Sequence, residues 1–192
     1  MEGPTQIKPK GLADYLDVMS KAVFQSGISW RVVEAKWDGT REAFRGFDPH
    51  KVANLTPKQI DALAEDTRII RNRRKIEATT ENAETMLALD DQFGGFKKYL
   101  RSFEDFEALS ADLVKRFKFL GDTGSYYFLH VVGEPVPPHE QWMKSHRPHG
   151  FVPRTSKART SKAQTSKAQT SKARTSKART SKARTSKPRT RG

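Results

Sequence analysis

The 192-residue chain contains no cysteine. That absence excludes a disulfide framework, a thiol nucleophile and any cysteine-ligated zinc or iron–sulfur centre. No apolar run approaches the ~20 residues of a membrane span. The opening Met1-Glu-Gly-Pro-Thr-Gln-Ile-Lys-Pro-Lys10 has no apolar stretch that reads as a secretory signal. Acidic and aromatic residues are missing from one region only. Residues 154–192 hold 14 of the 36 Lys+Arg, with no Asp, Glu, Trp, Tyr or Phe. The other 22 basic residues face 22 acidic ones in 1–153, so the net charge of +14 belongs to the C-terminal region. This uneven distribution predicts one folded domain over 1–153 and a polycationic appendage over 154–192. It points to an intracellular protein, cytoplasmic or nucleoid-associated, whose partner is a polyanion; nucleic acid is the commonest.

The appendage is a strict pentapeptide array. TSKAR, TSKAQ or TSKPR runs without a gap from Thr155 to Arg189 in seven copies. A period of five matches neither the helix nor the strand repeat, and alanine supplies nearly all of its apolar content. Such a segment cannot offset the entropy of ordering, so it is expected to be disordered. Two readings stay open: a solvated tail with little role, or a non-specific phosphate clamp whose affinity falls steeply with salt. In composition alone it is similar to the tails of linker-histone-like proteins.

Within 1–153 the periodicity is helical. Leu12, Leu16, Met19 and Val23 recur as one helix face does. Asp48-Pro49 and Thr56-Pro57 each pair an N-cap with proline at the first helical position, and Gln59 completes a capping box after Thr56. Ile69, Ile76, Thr80, Ala83 and Leu87 mark a long helix, and Phe106, Leu109, Leu113 and Phe117 mark another, with a break at Gly94-Gly95. Glu134–Pro153 holds five prolines and reads as an extended strap. The domain is predicted to be all-α, with roughly eight short helices.

Lys118-Phe-Leu-Gly-Asp-Thr-Gly124 lies between the Phe106–Phe117 helix and a helix through Ser125–Val132. Helix, tight glycine turn, helix is the shape of a helix-hairpin-helix unit. Gly121 and Gly124 permit the turn, and the amides of Thr123 and its neighbours at the second helix's start can bind a phosphate. Such a hairpin, with Lys118 beside it, fixes a protein on the DNA backbone without reading sequence. A glycine turn between helices also serves merely as a turn.

Three further blocks precede it in order: Gln25-Ser-Gly-Ile-Ser-Trp30, Phe47-Asp-Pro-His-Lys-Val-Ala53 and Ile69-Ile-Arg-Asn-Arg-Arg-Lys-Ile76. Together with Phe117-Lys-Phe-Leu-Gly-Asp-Thr123 they resemble the DNA-3-methyladenine glycosylase I family of the helix-hairpin-helix glycosylases. The resemblance covers roughly Leu12–Gly133 and omits the tail. It implies base excision without a cofactor: a monomer would rotate an alkylated purine out of double-stranded DNA and hydrolyse its N-glycosidic bond. An N3-alkylated adenine is cationic, so its glycosidic bond is weakened and an aromatic face binds the ring well. Trp30 matches the family's base-stacking tryptophan, whereas Trp37 reads as a core residue. Ile28 sits where an apolar wedge could fill the gap left by the flipped base, or could equally be buried between helices.

The chain departs from the family pattern at several points. Ala22 stands eight residues before Trp30, where the family carries a base-binding glutamate, and Phe24 stands where it carries a glutamine, which would leave the pocket around Gln25 more apolar. The family's zinc, held by two Cys and two His, cannot be built as such. A replacement carboxylate could come from the strap, where Glu140 is better spaced than Glu134; Asp14 and Asp17 lie off the face of Ala22. Arg68, Arg71, Arg73, Arg74 and Lys75 form the one dense basic patch of the neutral domain. Their place at a helix start opposes the macrodipole, a cost that phosphate would relieve. The five His residues show no metal-ligand spacing beyond the weak His146-x-x-His149. Two rival functions remain: a non-catalytic DNA-binding protein on the same scaffold, and a tail-driven chromatin-like architectural protein.

Overall fold

The chain divides into two units, Met1–Phe151 and Val152–Gly192. The computed structural model describes residues 4–146, all within the first unit. The repeat array and the last part of the strap, 147–153, lie outside the described residues.

The described residues form ten α-helices and one 3-10 turn, with no strand among them. The first helix, α1 (Leu12–Gln25), buries Leu16, Met19 and Val23 completely, as their spacing predicts. Two short helices follow, α2 (Trp30–Ala35) and α3 (Trp37–Ala43), then the 3-10 turn Arg45–Phe47. In α4 (Pro49–Ala53) the Asp48 carboxylate accepts from the amides of His50 and Lys51 at 3.0 and 3.4 Å. In α5 (Pro57–Glu65) the capping box forms in both directions. Gln59 N–H donates to the Thr56 hydroxyl at 3.4 Å, and Thr56 N–H donates to Gln59 Oε1 at 2.9 Å. A cap of this kind stabilises its helix by ~1 kcal/mol.

The long helix α6 (Arg73–Phe93) runs through the middle of the domain and buries Ile76, Ala83 and Met86. It starts later than its apolar pattern suggests. Asn72 caps it by accepting from Lys75 N–H at 3.3 Å, so Ile69 is buried in the preceding turn, not in the helix. The helix ends at Gly94, whose φ of 64° is left-handed, and a short α7 (Phe96–Leu100) follows. In the hairpin pair, α8 (Phe106–Arg116) packs on α9 (Asp122–Val131), and α9 packs back on α1.

The strap is not extended throughout. It contains α10 (His139–Ser145), anchored by buried Trp142, whose indole stacks on Tyr126 with centroids 4.4 Å apart. Proline density hid this helix because Pro137 and Pro138 precede its first turn, where proline does no harm. The count of ten among the described residues exceeds the expected eight because helices of five to seven residues leave too short a periodic signal.

Candidate active site

The hairpin between α8 and α9 is built by one buried side chain from α6. Asn82 accepts from Lys118 N–H at 2.7 Å and donates to its carbonyl at 3.1 Å, which fixes the chain as it leaves α8. Phe119 then adopts a left-handed φ of 58° and stays 41% exposed. A bulky non-glycine residue in that region is strained, and such strain is retained where the surroundings enforce it. Gly121 is the N-cap of α9 and provides no side chain. The first intrahelical bond is Ser125 N–H to Gly121 O at 2.8 Å, so the amides of residues 122–124 precede it at the positive end of the helix dipole.

The opposite wall comes from the end of α1 and the start of α2. A left-handed Gly27 (φ 76°) turns the chain between them. Trp30 is the first residue of α2 and is 45% exposed. Its ring meets Tyr127 of α9 edge-on, with centroids 5.5 Å apart at 68°. Between the walls lies a cavity of about 750 Å³, lined by Trp30, Tyr127, Phe119, Gln25, Ala22 and the hairpin glycines, with Asp122 and His146 at its sides. Ala22 and Gly124 let α1 and α9 approach closely. A Cβ at Gly124 would sit 3.1 Å from Leu120 Cδ1 and 3.7 Å from the Ala22 methyl.

The charges around the cavity are unequal. Lys21 Nζ lies 5.2 Å from the Trp30 ring centroid but is neutralised by Glu34 at 2.8 Å. Burial holds the Tyr127 phenol well above its ordinary value, and the carboxylates of Glu34 and Asp17 push it further up. The two carboxylates also favour a cation in the same space, whereas burial, the larger effect, opposes a charge of either sign. Gln25 Nε2 is buried in the wall without a hydrogen-bond partner among the described residues. A cavity with an aromatic face, an unmet amide donor and the influence of two carboxylates suits a flat, cationic, hydrogen-bond-accepting ring.

The structure brings together Trp30, Gln25 and Ala22 with Gly121, Thr123 and Gly124 of the hairpin. Phe24 does not join them. Two residues along a helix turn the side chain by about 200°, and Phe24 is fully buried against Trp37 and Phe44 on the far side of α1. Ile28 is half-buried against the core beside the Gly27 turn. The basic patch also divides. Lys75 is buried, with its ammonium donating to the carbonyls of Phe24 (3.0 Å) and Ser26, so it braces the pocket turn and cannot meet a phosphate. Burial also lowers its pKa. Arg73 is paired with Asp61 and with Glu77, while Arg71 and Arg74 are exposed, Arg74 lying 5.6 Å from the Phe119 ring. Lys118 is exposed near Glu81, at 3.9 Å.

Of the carboxylates, Glu134 is buried in an ion pair with Arg101 at 3.1 Å, and Asp17 holds Trp37 Nε1–H at 2.7 Å and Arg41 at 2.8 Å. Asp14 accepts from Lys10 N–H at 2.6 Å. Glu140 is exposed on α10 and is not among the cavity's lining residues; His146, at the end of that helix, is. Sequence reasoning missed Tyr127, Phe119, Asp122 and His146. Tyr127 had a readable signal, since it follows Gly124 by three residues and so shares its helix face.

A zinc site of the kind the resembled family carries does not fit these residues. There is no cysteine, and no cluster of three or more His, Asp or Glu that could hold a metal exists among the described residues. The ends of the domain are tied by other means: Ile7 N–H donates to Val131 O at 2.7 Å, and Tyr126 OH donates to Pro137 O at 3.0 Å.

Comparison with known proteins agrees with this geometry. The methyladenine glycosylase family profile matches residues 13–110. The DNA-3-methyladenine glycosylase of Haemophilus influenzae is 35% identical over 130 residues, covering 57% of this chain and 70% of that protein. DNA-3-methyladenine glycosylase 1 of Escherichia coli is 33% identical over the same shares. Among solved structures, 3-methyladenine DNA glycosylase I of Staphylococcus aureus superposes with a TM-score of 0.61 at 27% identity, over 67% of this chain and 80% of that one. A 3-methyladenine DNA glycosylase I solved in complex with 3-methyladenine gives 0.59 at 28% identity, over 68% and 80%. The all-α hairpin fold, the ordered motif blocks and these matches establish that the chain belongs to the methyladenine glycosylase family.

Proposed function

We propose that this protein is a monofunctional DNA glycosylase that removes alkylated purines of the 3-methyladenine type from double-stranded DNA. The observation that carries the reading is the half-exposed Trp30 at the edge of a cavity large enough for a purine, opposite a hairpin whose first helical amides lie ahead of the intrahelical bonds. The hairpin, with Arg71, Arg74 and Lys118, would hold the phosphodiester backbone, and Ile28 beside the Gly27 turn would fill the stack. A flipped base would lie on Trp30, where stacking contributes ~1–3 kcal/mol. Water is the nucleophile, because no lysine is among the described residues that line the cavity to form a Schiff base.

Selection would rest on charge. Ala22 offers no carboxylate to a base edge, whereas the Glu34 and Asp17 carboxylates that act on Tyr127 would favour a cation. The same Ala22 favours one rival, a DNA-binding protein that has lost its chemistry. Release of free base separates the two. Incubating the full chain with methylated duplex DNA should liberate 3-methyladenine, and 7-methylguanine more slowly, but not hypoxanthine or uracil. Intact methylated DNA after prolonged incubation would overturn the enzymatic reading. The seven repeats, with 12 positive charges, would act as a counterion-displacing clamp. Removing 155–192 should then flatten the slope of log K against log salt, and an unchanged slope would leave the repeats no role on DNA.

A further inference from the structure

Resting on that reading, we infer that His146 is the general base of the reaction, taking the place of a carboxylate at the sugar. His146 lines the same cavity as Trp30. Its imidazole is held in one orientation: the ring stacks on Trp142 at 4.8 Å and 12°, and Trp142 in turn stacks on Tyr126. Its Nδ1 lies 3.2 Å from the Trp142 carbonyl and 3.0 Å from Ser145 Oγ. A carbonyl oxygen can only accept, so in the tautomer that bonds it Nδ1 carries the proton and Nε2 keeps its lone pair. A backbone carbonyl on Nδ1–H also stabilises the imidazolium once Nε2 is protonated.

The other ionisable side chains of the cavity are worse placed to accept a proton. Tyr127 keeps its own because burial and two carboxylates oppose the phenolate. Asp122 opens α9 and is exposed at the hairpin, where the phosphodiester backbone would lie. A neutral base also suits the substrate better than a permanent cation, which would repel an alkylpurinium ring.

The step balances without a co-reactant. The oxygen of water bonds to C1′ as the bond from C1′ to N9 breaks, and that electron pair neutralises the departing alkylpurinium. The water proton passes to Nε2 of His146, and the imidazolium later returns it to solvent. General base catalysis of this kind is worth ~10²–10⁴-fold.

The test uses the full chain under single-turnover conditions on DNA methylated at adenine N3. His146→Phe keeps the stacking ring and removes the lone pair. We expect its rate to fall at least ~100-fold while its affinity for duplex containing a tetrahydrofuran abasic analogue is unchanged. The smaller His146→Gly variant should regain rate on addition of imidazole. A His146→Phe rate equal to wild type would overturn the inference and leave the ring a stacking role. Loss of rate in Asp122→Asn with His146→Phe unaffected would transfer the role to Asp122. If the wild-type chain releases no base while binding the abasic analogue, the glycosylase reading fails and this inference fails with it.

Discussion

Two tryptophans seven residues apart begin consecutive short helices, yet they meet opposite fates. Trp37 opens α3 and is 3% exposed, stacked on Phe47 at 5.4 Å and 13°, with Phe47 in turn stacked on Phe44. Its indole N–H is satisfied by Asp17. Trp30 opens α2, meets Tyr127 edge-on at the cavity, and leaves nearly half its surface exposed. Lys21 lies between the two rings, 5.2 Å from one centroid and 5.6 Å from the other. The same residue type at the same helical position is core in one case and pocket wall in the other. What differs is the flanking backbone. Gly27 in its left-handed turn swings Trp30 outward to face the hairpin, whereas α3 follows α2 directly and folds Trp37 back onto α1.

Replacing each ring with alanine should break this pair most sharply. Trp37→Ala removes a buried aromatic and its hydrogen bond, a loss of ~3–5 kcal/mol. Denaturant unfolding should record this as a lower midpoint with an unchanged slope. Trp30→Ala should lower the midpoint far less, because nearly half of its surface is exposed, and should abolish base release. Equal destabilisation by both would return Trp30 to the core and empty the pocket of its stacking face.

How much of this was legible without coordinates follows the same division. Repeating patterns were readable: the face of α1, the capping box at Thr56, the glycine stop of α6 and the hairpin all stand where residue spacing puts them. Trp30 and Trp37 were separable because the motif block ends on the first. Lys75 was not, since a lysine among arginines looks like surface. Only the fold shows that two pocket-turn carbonyls, of Phe24 and Ser26, converge on its ammonium. Phe24 was misplaced by reading the motif linearly, when the 200° step from Ala22 decides which side it faces. His146 was out of reach, because its entry to the cavity depends on a helix inside a proline-rich segment.

A smaller effect sharpens the contrast at Asp17, which serves the dry cluster directly and the open one only through its field. Asp17→Ala orphans the Trp37 N–H and frees Arg41, for a cost of ~1–3 kcal/mol. Asp17→Asn retains an acceptor and should recover most of it. Neither should change the rate of base release as Trp30→Ala does. A loss of excision in Asp17→Asn with stability intact would mean that the carboxylate's charge, and not its hydrogen bond, is the important property.

The smallest expected effect is confined to alkaline solution and belongs to the open cluster alone. Tyr127 has its folded pKa raised above the ordinary 10.0, first by burial and then by Glu34 and Asp17. Below pH 10 the phenol is protonated in both the folded and unfolded chains, and its contribution is fully present. As pH rises past 10, the unfolded chain releases the proton first. It then binds fewer protons than the folded one, and stability falls until the folded value is reached. One such group imposes a slope of at most ~1.4 kcal/mol per pH unit. Tyr15, Tyr99 and Tyr126 are raised as well and keep their own shares. Tyr127→Phe should therefore unfold like wild type at pH 8 and be the more stable of the two at pH 11, while its ring still meets Trp30 edge-on. Trp37→Phe, which removes no titrating group, should be offset from wild type by the same amount at both pH values. A Tyr127→Phe variant that tracked wild type through pH 11 would show that the phenol titrates as though in water, neither held by burial nor acted on by Glu34 and Asp17.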